Sequence, residues 1–164
     1  MLEIAIYPDP VLTKQAEPVA DFDDALRQLL DTMAETMYAA SGIGLAAPQV
    51  GQSVQAVVID ASLRVDGEKL IKLVNPRITC SEGHSVNEEG CLSLPGFSEN
   101  VPRAANIVVE AYDEGGKPVK IETDTFLAIV LQHEIDHLNG VLFIDHLSRL
   151  KRNLIKRKLQ KLSL

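Results

Sequence analysis

The sequence predicts an α+β fold. It is expected to be a single domain of antiparallel β-strands around a buried central helix, with an N-terminal helix and a C-terminal amphipathic helix. Three observations predict this. Apolar residues recur at helical spacing in two separate stretches, 22–37 and 147–162. Short β-branched runs stand between them, punctuated by Gly, Asp and Pro. The stretch from Thr125 to Leu138 is apolar nearly all round, so that helix must be covered by the rest of the chain. With 164 residues, the whole chain, 1–164, is expected to be one domain with a real core.

Residues 1–20 read as extended and turn-rich, because Pro8, Pro10 and Pro18 prevent a regular helix. Phe22, Leu26, Leu29, Leu30, Met33 and Met37 then recur at helical spacing behind the capping candidates Asp21 and Asp23. That helix should run to about Ala40 and stop at Ser41-Gly42, its apolar stripe serving as core packing. Gly42 to Gly51 reads as a tight loop in which two glycines flank Ile43 and let the backbone approach a neighbour closely. Val54–Ile59 and Leu70–Val74 read as strands joined through Asp66-Gly67, with a third at Ile78–Cys80. Cys80 reads as a small core hydrophobe. His84, between Gly83 and Ser85, reads as an exposed loop residue. Asn106–Tyr112 and Val119–Thr123 alternate on either side of Asp113-Glu114-Gly115-Gly116-Lys117, a hairpin pattern. Leu147, Leu150, Leu154, Ile155, Leu159 and Leu162 mark the final helix, with a basic outer face.

Composition excludes several classes. Hydrophobic residues make up 46% of the chain, too many for a disordered protein. No apolar run is long enough to span a bilayer, so no membrane is expected. Met1-Leu2-Glu3-Ile4 lacks the basic and apolar regions of a signal peptide. Two cysteines suit a reducing compartment better than a disulfide framework, so a cytoplasmic location is expected. A monomer is also expected. Seven of the 16 basic residues fall between Arg149 and Lys161, which leaves nine against all 23 acidic residues in the body. An acidic body argues against general nucleic-acid binding. The basic tail has two readings: a solvated face that packs back on the domain, or attraction to an acidic partner such as the ribosome.

The central helix carries His133-Glu134-Ile135-Asp136-His137, an H-E-x-x-H pattern. Residues four apart stand one turn apart on one helix face, so both imidazoles can reach a single metal ion. Glu134 projects to the side, where it can touch an attacking water without being a ligand. The bland alternative is a pair of satisfied core histidines, but five such residues on an apolar helix argue against it. Asn139-Gly140 supplies the residue types of a left-handed helix stop.

Two histidines leave a catalytic metal one short of three protein ligands. Downstream, the position that a metzincin-like histidine would take is Phe143, and Asp145 is the only acidic residue after His137. The third ligand should therefore lie upstream, at Cys80, His84 or Cys91. Cys91 sits in Glu88-Glu89-Gly90-Cys91-Leu92-Ser93-Leu94-Pro95, where Gly90 permits close backbone approach. A thiolate beside two imidazoles suits Fe, Zn, Ni or Co.

Gly90-Cys91-Leu92-Ser93, His133-Glu134-Ile135-Asp136-His137 and Gly42-Ile43-Gly44-Leu45-Ala46-Ala47-Pro48-Gln49 together resemble the three signature motifs of the peptide deformylase family. They stand in the family's order and at its approximate spacing, and Tyr7-Pro8-Asp9-Pro10 is similar to its N-terminal segment. The resemblance covers essentially the whole chain. It implies a metal-dependent hydrolase that removes the N-formyl group from the initiating methionine of nascent peptides and releases formate. It also implies Fe(2+) held by Cys91, His133 and His137, with Zn(2+), Ni(2+) or Co(2+) able to substitute.

Glu134 is the candidate general acid–base. By resemblance, Gln49 and the Leu92 backbone N–H would stabilise the oxyanion, and Gly44 would bind the substrate's peptide group, with Gly90 beside it. Ile43, Phe126, Ile129 and Val130 are candidates for the pocket that receives methionine. Glu89 and Arg103 look like a family charge pair near the Cys91 loop, and Asp136 could orient a ligand histidine. Two rivals stand beside this reading. A zincin-type peptidase needs a downstream ligand that the sequence denies. A metal-stabilised binding protein needs four ligands where three are evident. No sequence-specific nucleic acid is expected as a partner.

Overall fold

A computed structural model describes residues 1–162. Helix α1 spans Asp24–Ala39, with the Asp23 carboxylate accepting from the Leu26 N–H at its start. Strands β1 (Gly44–Ala46), β2 (Ala56–Ile59) and β3 (Ile71–Glu82) follow, then β4 (Ser85–Gly90) and β5 (Ser98–Arg103). Strands β6 (Asn106–Tyr112) and β7 (Pro118–Thr123) lead into helix α2 (Phe126–Leu138), and α3 (Arg149–Leu162) ends the described chain. Short 3-10 turns sit at Pro10–Thr13, Ala47–Val50 and Phe143–His146. No helix among the described residues is long and apolar enough to cross a membrane.

Five strands form one antiparallel sheet in the order β1-β2-β3-β6-β7, and β4 pairs with β5 in a separate hairpin. Strand β2 is buried on both faces. Its alternation sends Val57 and Ile59 toward α2 and Ala56 and Val58 toward α1. The two helices therefore cover opposite faces of the sheet, and α2, with Ala128 and Leu131 fully buried, is the central one. Gln132 stitches α2 to the β5–β6 connection, its side-chain amide bonding both the N–H and the C=O of Ala104 at 3.0 Å. A third cluster joins the N-terminal segment, Leu94, Phe143 and the Ile155 and Leu159 face of α3.

Several expectations need correction. The strands expected at 70–74 and 78–80 are one long strand, β3, whose pairing with β6 shifts register between Val74 and Arg77 and again between Ile78 and Cys80. Asn75 has a positive φ there, its side chain bonds Val19, and Pro76 lacks a donor, so the break looks like a boundary in sequence. Cys80 is exposed on the far half of β3, not in the core. On α3 only Ile155 and Leu159 are buried, while Leu150, Leu154 and Leu162 face outward. The expected stripe is wider than the surface available to bury it.

Candidate active site

Helix α2 brings three polar side chains into the core because its own apolar sequence buries it. His137 and Glu134 are 1% and 4% exposed. Cys91 follows directly on β4, where the Leu94 N–H closes a turn on the Cys91 carbonyl at 3.0 Å. The fold brings its Sγ to 3.4 Å from His137 Nε2, which lies 3.3 Å from His133 Nε2. All three donor atoms fall within 4.8 Å of one another. Tetrahedral bonds of about 2.0–2.3 Å set neighbouring donors roughly 3.3–3.8 Å apart, so this donor set fits a divalent ion. Of the three upstream candidates only Cys91 joins the histidines. Cys80 and His84 are exposed and lie outside the group. Phe143 is buried and stacks on His133 at 6.3 Å between ring centroids, so the downstream position is filled by an apolar ring.

A buried ionic network supports His133. Its Nδ1 lies 2.9 Å from Glu89 Oε1, which leaves Nε2 for an ion when Nδ1 donates to the carboxylate. Arg103 grips Glu89 with Nε and Nη2, both at 2.8 Å, and extends Nη1 to Asp136 at 2.5 Å. His146 Nε2 completes the chain 2.8 Å from Asp136. Burial opposes ionisation of Glu89, yet Arg103 and His133 hold its carboxyl below the usual range. Asp136 is likewise kept low by His146 and Arg103 against the pull of burial. The Asp136 carboxylate makes no hydrogen bond to His137, its sequence neighbour, because adjacent helical residues point about 100° apart. Its partners are Arg103 and His146, and it reaches His133 through Arg103 and Glu89.

Burial pushes Glu134 up to about 7. Burial and the adjacent His133 push the His137 imidazole well below its ordinary value, so it is neutral and has a lone pair to give. Glu134 Oε1 and His137 Nδ1 have no hydrogen-bond partner among the described residues. An orphan carboxylate oxygen beside a convergent donor set is the arrangement that handling a reactant proton requires.

Gln49 reaches the same place from the 3-10 turn at Ala47–Val50. Its Oε1 accepts from the Ala46 N–H at 3.0 Å, so the amide nitrogen must face Cys91 and Ser93, at 3.5 and 3.2 Å. Ser93 is fully buried. Its hydrogen bond with Gln49 is not legible in the sequence, although it stands inside the Gly90–Ser93 motif. Gly44 packs against Glu134: a Cβ there would sit 2.5 Å from Glu134 Oε2.

Gln49, Glu89, Cys91, His133 and Glu134 line a cavity of about 620 Å³. Ile43, Phe126, Ile129 and Val130 form part of its wall, with Gly44, Gly90 and Leu92. Leu94, Phe97 and Arg64 also line it. None of these three stands out in the sequence: Leu94 and Phe97 come from the β4–β5 connection and Arg64 from the β2–β3 connection, and tertiary packing alone brings them to one wall.

The sequence model of the polypeptide deformylase family matches residues 1–153. The chain belongs to that family. It is 51% identical over 158 residues to a peptide deformylase of Thermodesulfovibrio yellowstonii, covering 96% of each chain. Its fold matches the crystal structure of a peptide deformylase from Legionella pneumophila with a TM-score of 0.91 at 48% identity, covering 99% of this chain and 95% of that one. The peptide deformylase of Ehrlichia chaffeensis in complex with actinonin matches with a TM-score of 0.93 at 37% identity, covering 98% and 96%. Deformylases of this family are metal-dependent hydrolases that remove the N-formyl group from nascent peptides. This chain is such an enzyme, acting on formyl-methionine peptides and releasing formate.

Proposed function

We propose that Cys91, His133 and His137 hold the catalytic ion and that Glu134 carries the proton in deformylation. The observation that carries this is the convergence of three donor atoms, with His137 Nε2 3.4 Å from Cys91 Sγ and 3.3 Å from His133 Nε2, beside a buried carboxylate oxygen that has no hydrogen-bond partner among the described residues. A divalent ion bound there supplies Lewis acidity and lowers the pKa of water. Glu134 takes the proton of the attacking water and returns it to the leaving amine as the formyl C–N bond breaks. The Gln49 amide, held by Ala46 and Ser93, donates to the formyl oxygen as charge develops, together with the Leu92 N–H. Ile43, Phe126, Ile129 and Val130 receive the methionine side chain, while Gly44 and Gly90 leave room for the substrate backbone. Glu89 and Arg103 fix the tautomer and tilt of His133.

The native ion in this proposal is Fe(2+), with Zn(2+), Ni(2+) or Co(2+) able to replace it at a mixed thiolate–imidazole set. The protein works as a single-domain monomer in the cytoplasm, where nascent peptides are made and free cysteines stay reduced. The basic, partly apolar outer face of α3 suits contact with the ribosome. The test is metal analysis of protein purified without oxygen, alongside formate release from formyl-Met peptides. One equivalent of iron and turnover of formylated peptides only are expected. Turnover of unformylated peptides would favour a peptidase instead.

A further inference from the structure

Arg64 lies outside every motif. It stands on the β2–β3 connection with its guanidinium carbon 4.0 Å above the centroid of the Phe126 ring. Both residues line the cavity. Among the described residues lining it, Arg64 is the one lysine or arginine, against Glu88, Glu89 and Glu134. Glu89 is engaged by Arg103, and Glu88 accepts from the Ser98 hydroxyl at 3.1 Å. No carboxylate pairs with Arg64 among the described residues. Stacking on a ring occupies the face of a guanidinium and leaves its N–H donors, which lie in its plane, directed outward.

Two features indicate which part of a substrate meets those donors. Strand β1, which contains Gly44, pairs only with β2 among the described residues and stands at the edge of the sheet. An edge strand receives a peptide in extended form. In an extended chain, residues i and i+2 project to the same face, about 6.6 Å apart. With the first side chain against Phe126, the third side chain projects to the same face as the first, the face on which the Phe126–Arg64 stack stands. We propose that Arg64 is a specificity-determining residue that reads the third residue of the formyl peptide and favours Asp or Glu there, resting on the methionine wall assigned above. The body of the protein has nine basic residues against 23 acidic ones, so acidic peptides are otherwise repelled. Arg64 reverses that field at one point.

The experiment measures formate release from C-terminally amidated formyl-Met-Ala-Xaa peptides, with Xaa as Glu, Ala or Lys. The metal-loaded wild type is compared with Arg64→Gln and Arg64→Glu. In each protein, kcat/KM is expressed relative to the Ala peptide, which cancels differences in active fraction. The wild type should prefer Glu over Lys by about two- to five-fold, the range of a solvent-exposed ion pair. Arg64→Gln should remove the preference for Glu, Arg64→Glu should favour Lys, and added salt should shrink both effects. Moving Xaa to the second position should remove any dependence on Arg64. An equal Glu-to-Lys ratio in all three proteins, or a dependence at the second residue instead, would overturn the proposal. Failure of the wild type to turn over formyl-Met-Ala-Ala would overturn the methionine-site reading, and this one with it.

Discussion

Replacing Gly44 by alanine tests the geometry of Glu134 directly. Gly44 has no positive φ, so alanine fits its backbone. The added Cβ would lie 2.5 Å from Glu134 Oε2, 2.9 Å from Cδ and 3.0 Å from Cγ. To regain an ordinary contact of 3.4 Å the carboxylate oxygen must retreat by about 0.9 Å. A displacement of about 1 Å in a reacting group costs roughly 10²-fold in rate. The carboxylate end of Glu134 can swing at little cost in stability, so the penalty should fall on catalysis. Gly42→Ala is the control: its Cβ meets the Leu92 Cδ1 methyl at 2.9 Å, the free end of a flexible side chain. The assay is kcat/KM for formate release, with metal content and melting temperature measured on the same samples. Gly44→Ala should be roughly 10²-fold slower, fully metallated and nearly as stable, and Gly42→Ala should be much less affected. Wild-type activity in Gly44→Ala would show that Glu134 need not sit where it does.

Glu134→Gln should keep its metal and lose about 10²–10⁴-fold in activity; loss of metal, measured by atomic absorption, would make Glu134 a ligand. Cys91→Ala should lose metal sharply while Cys80→Ala, exposed on β3, should not, as metal analysis of both would show. The Asp60 carboxyl is held below its usual range by the Ser62 and Tyr38 hydroxyls and the Ser62 N–H. A lowered folded pKa contributes stability above the unfolded carboxylate pKa and loses it as pH falls through the folded value. Asp60→Asn should therefore be less stable than wild type at neutral pH and converge with it in acid, in urea titrations at several pH values. Reversing the charges of Lys156, Arg157 and Lys158 should leave turnover of short formyl peptides intact and weaken ribosome co-sedimentation at low salt; unchanged sedimentation would leave α3 as packing alone.

Helices α1 and α2 and the β6–β7 hairpin are legible in the sequence because their signals are local. Asp23 caps, Asn139-Gly140 stops, and the Gly115-Gly116 turn closes the hairpin between residues that alternate. The β4–β5 hairpin is not legible. Ser85–Gly90 and Ser98–Arg103 are polar, and only Glu89, Val101 and Arg103 are buried in them. They are held as strands by each other and by the ion pair of Glu89 with Arg103, which composition cannot reveal. The histidine pair is legible because one helix supplies both members. Arg64 is not, because a lone arginine in a polar turn acquires meaning only when Phe126, 62 residues later, comes beneath it.

Cys91 stands 46 residues before His137, so its sulfur and the imidazoles meet only through tertiary structure. Closing a loop of that length in a disordered chain costs about 3 kcal/mol from its length alone. An unfolded chain therefore has little hold on the ion, and binding belongs almost wholly to the native state. By mass action, free ion at a hundred times its dissociation constant adds about 2.7 kcal/mol to unfolding. With the ion held as proposed, the melting temperature should rise with free metal concentration and a chelator should lower it. A cell short of the ion would carry an enzyme that is easier to unfold as well as inactive, and such a chain is exposed to proteolysis.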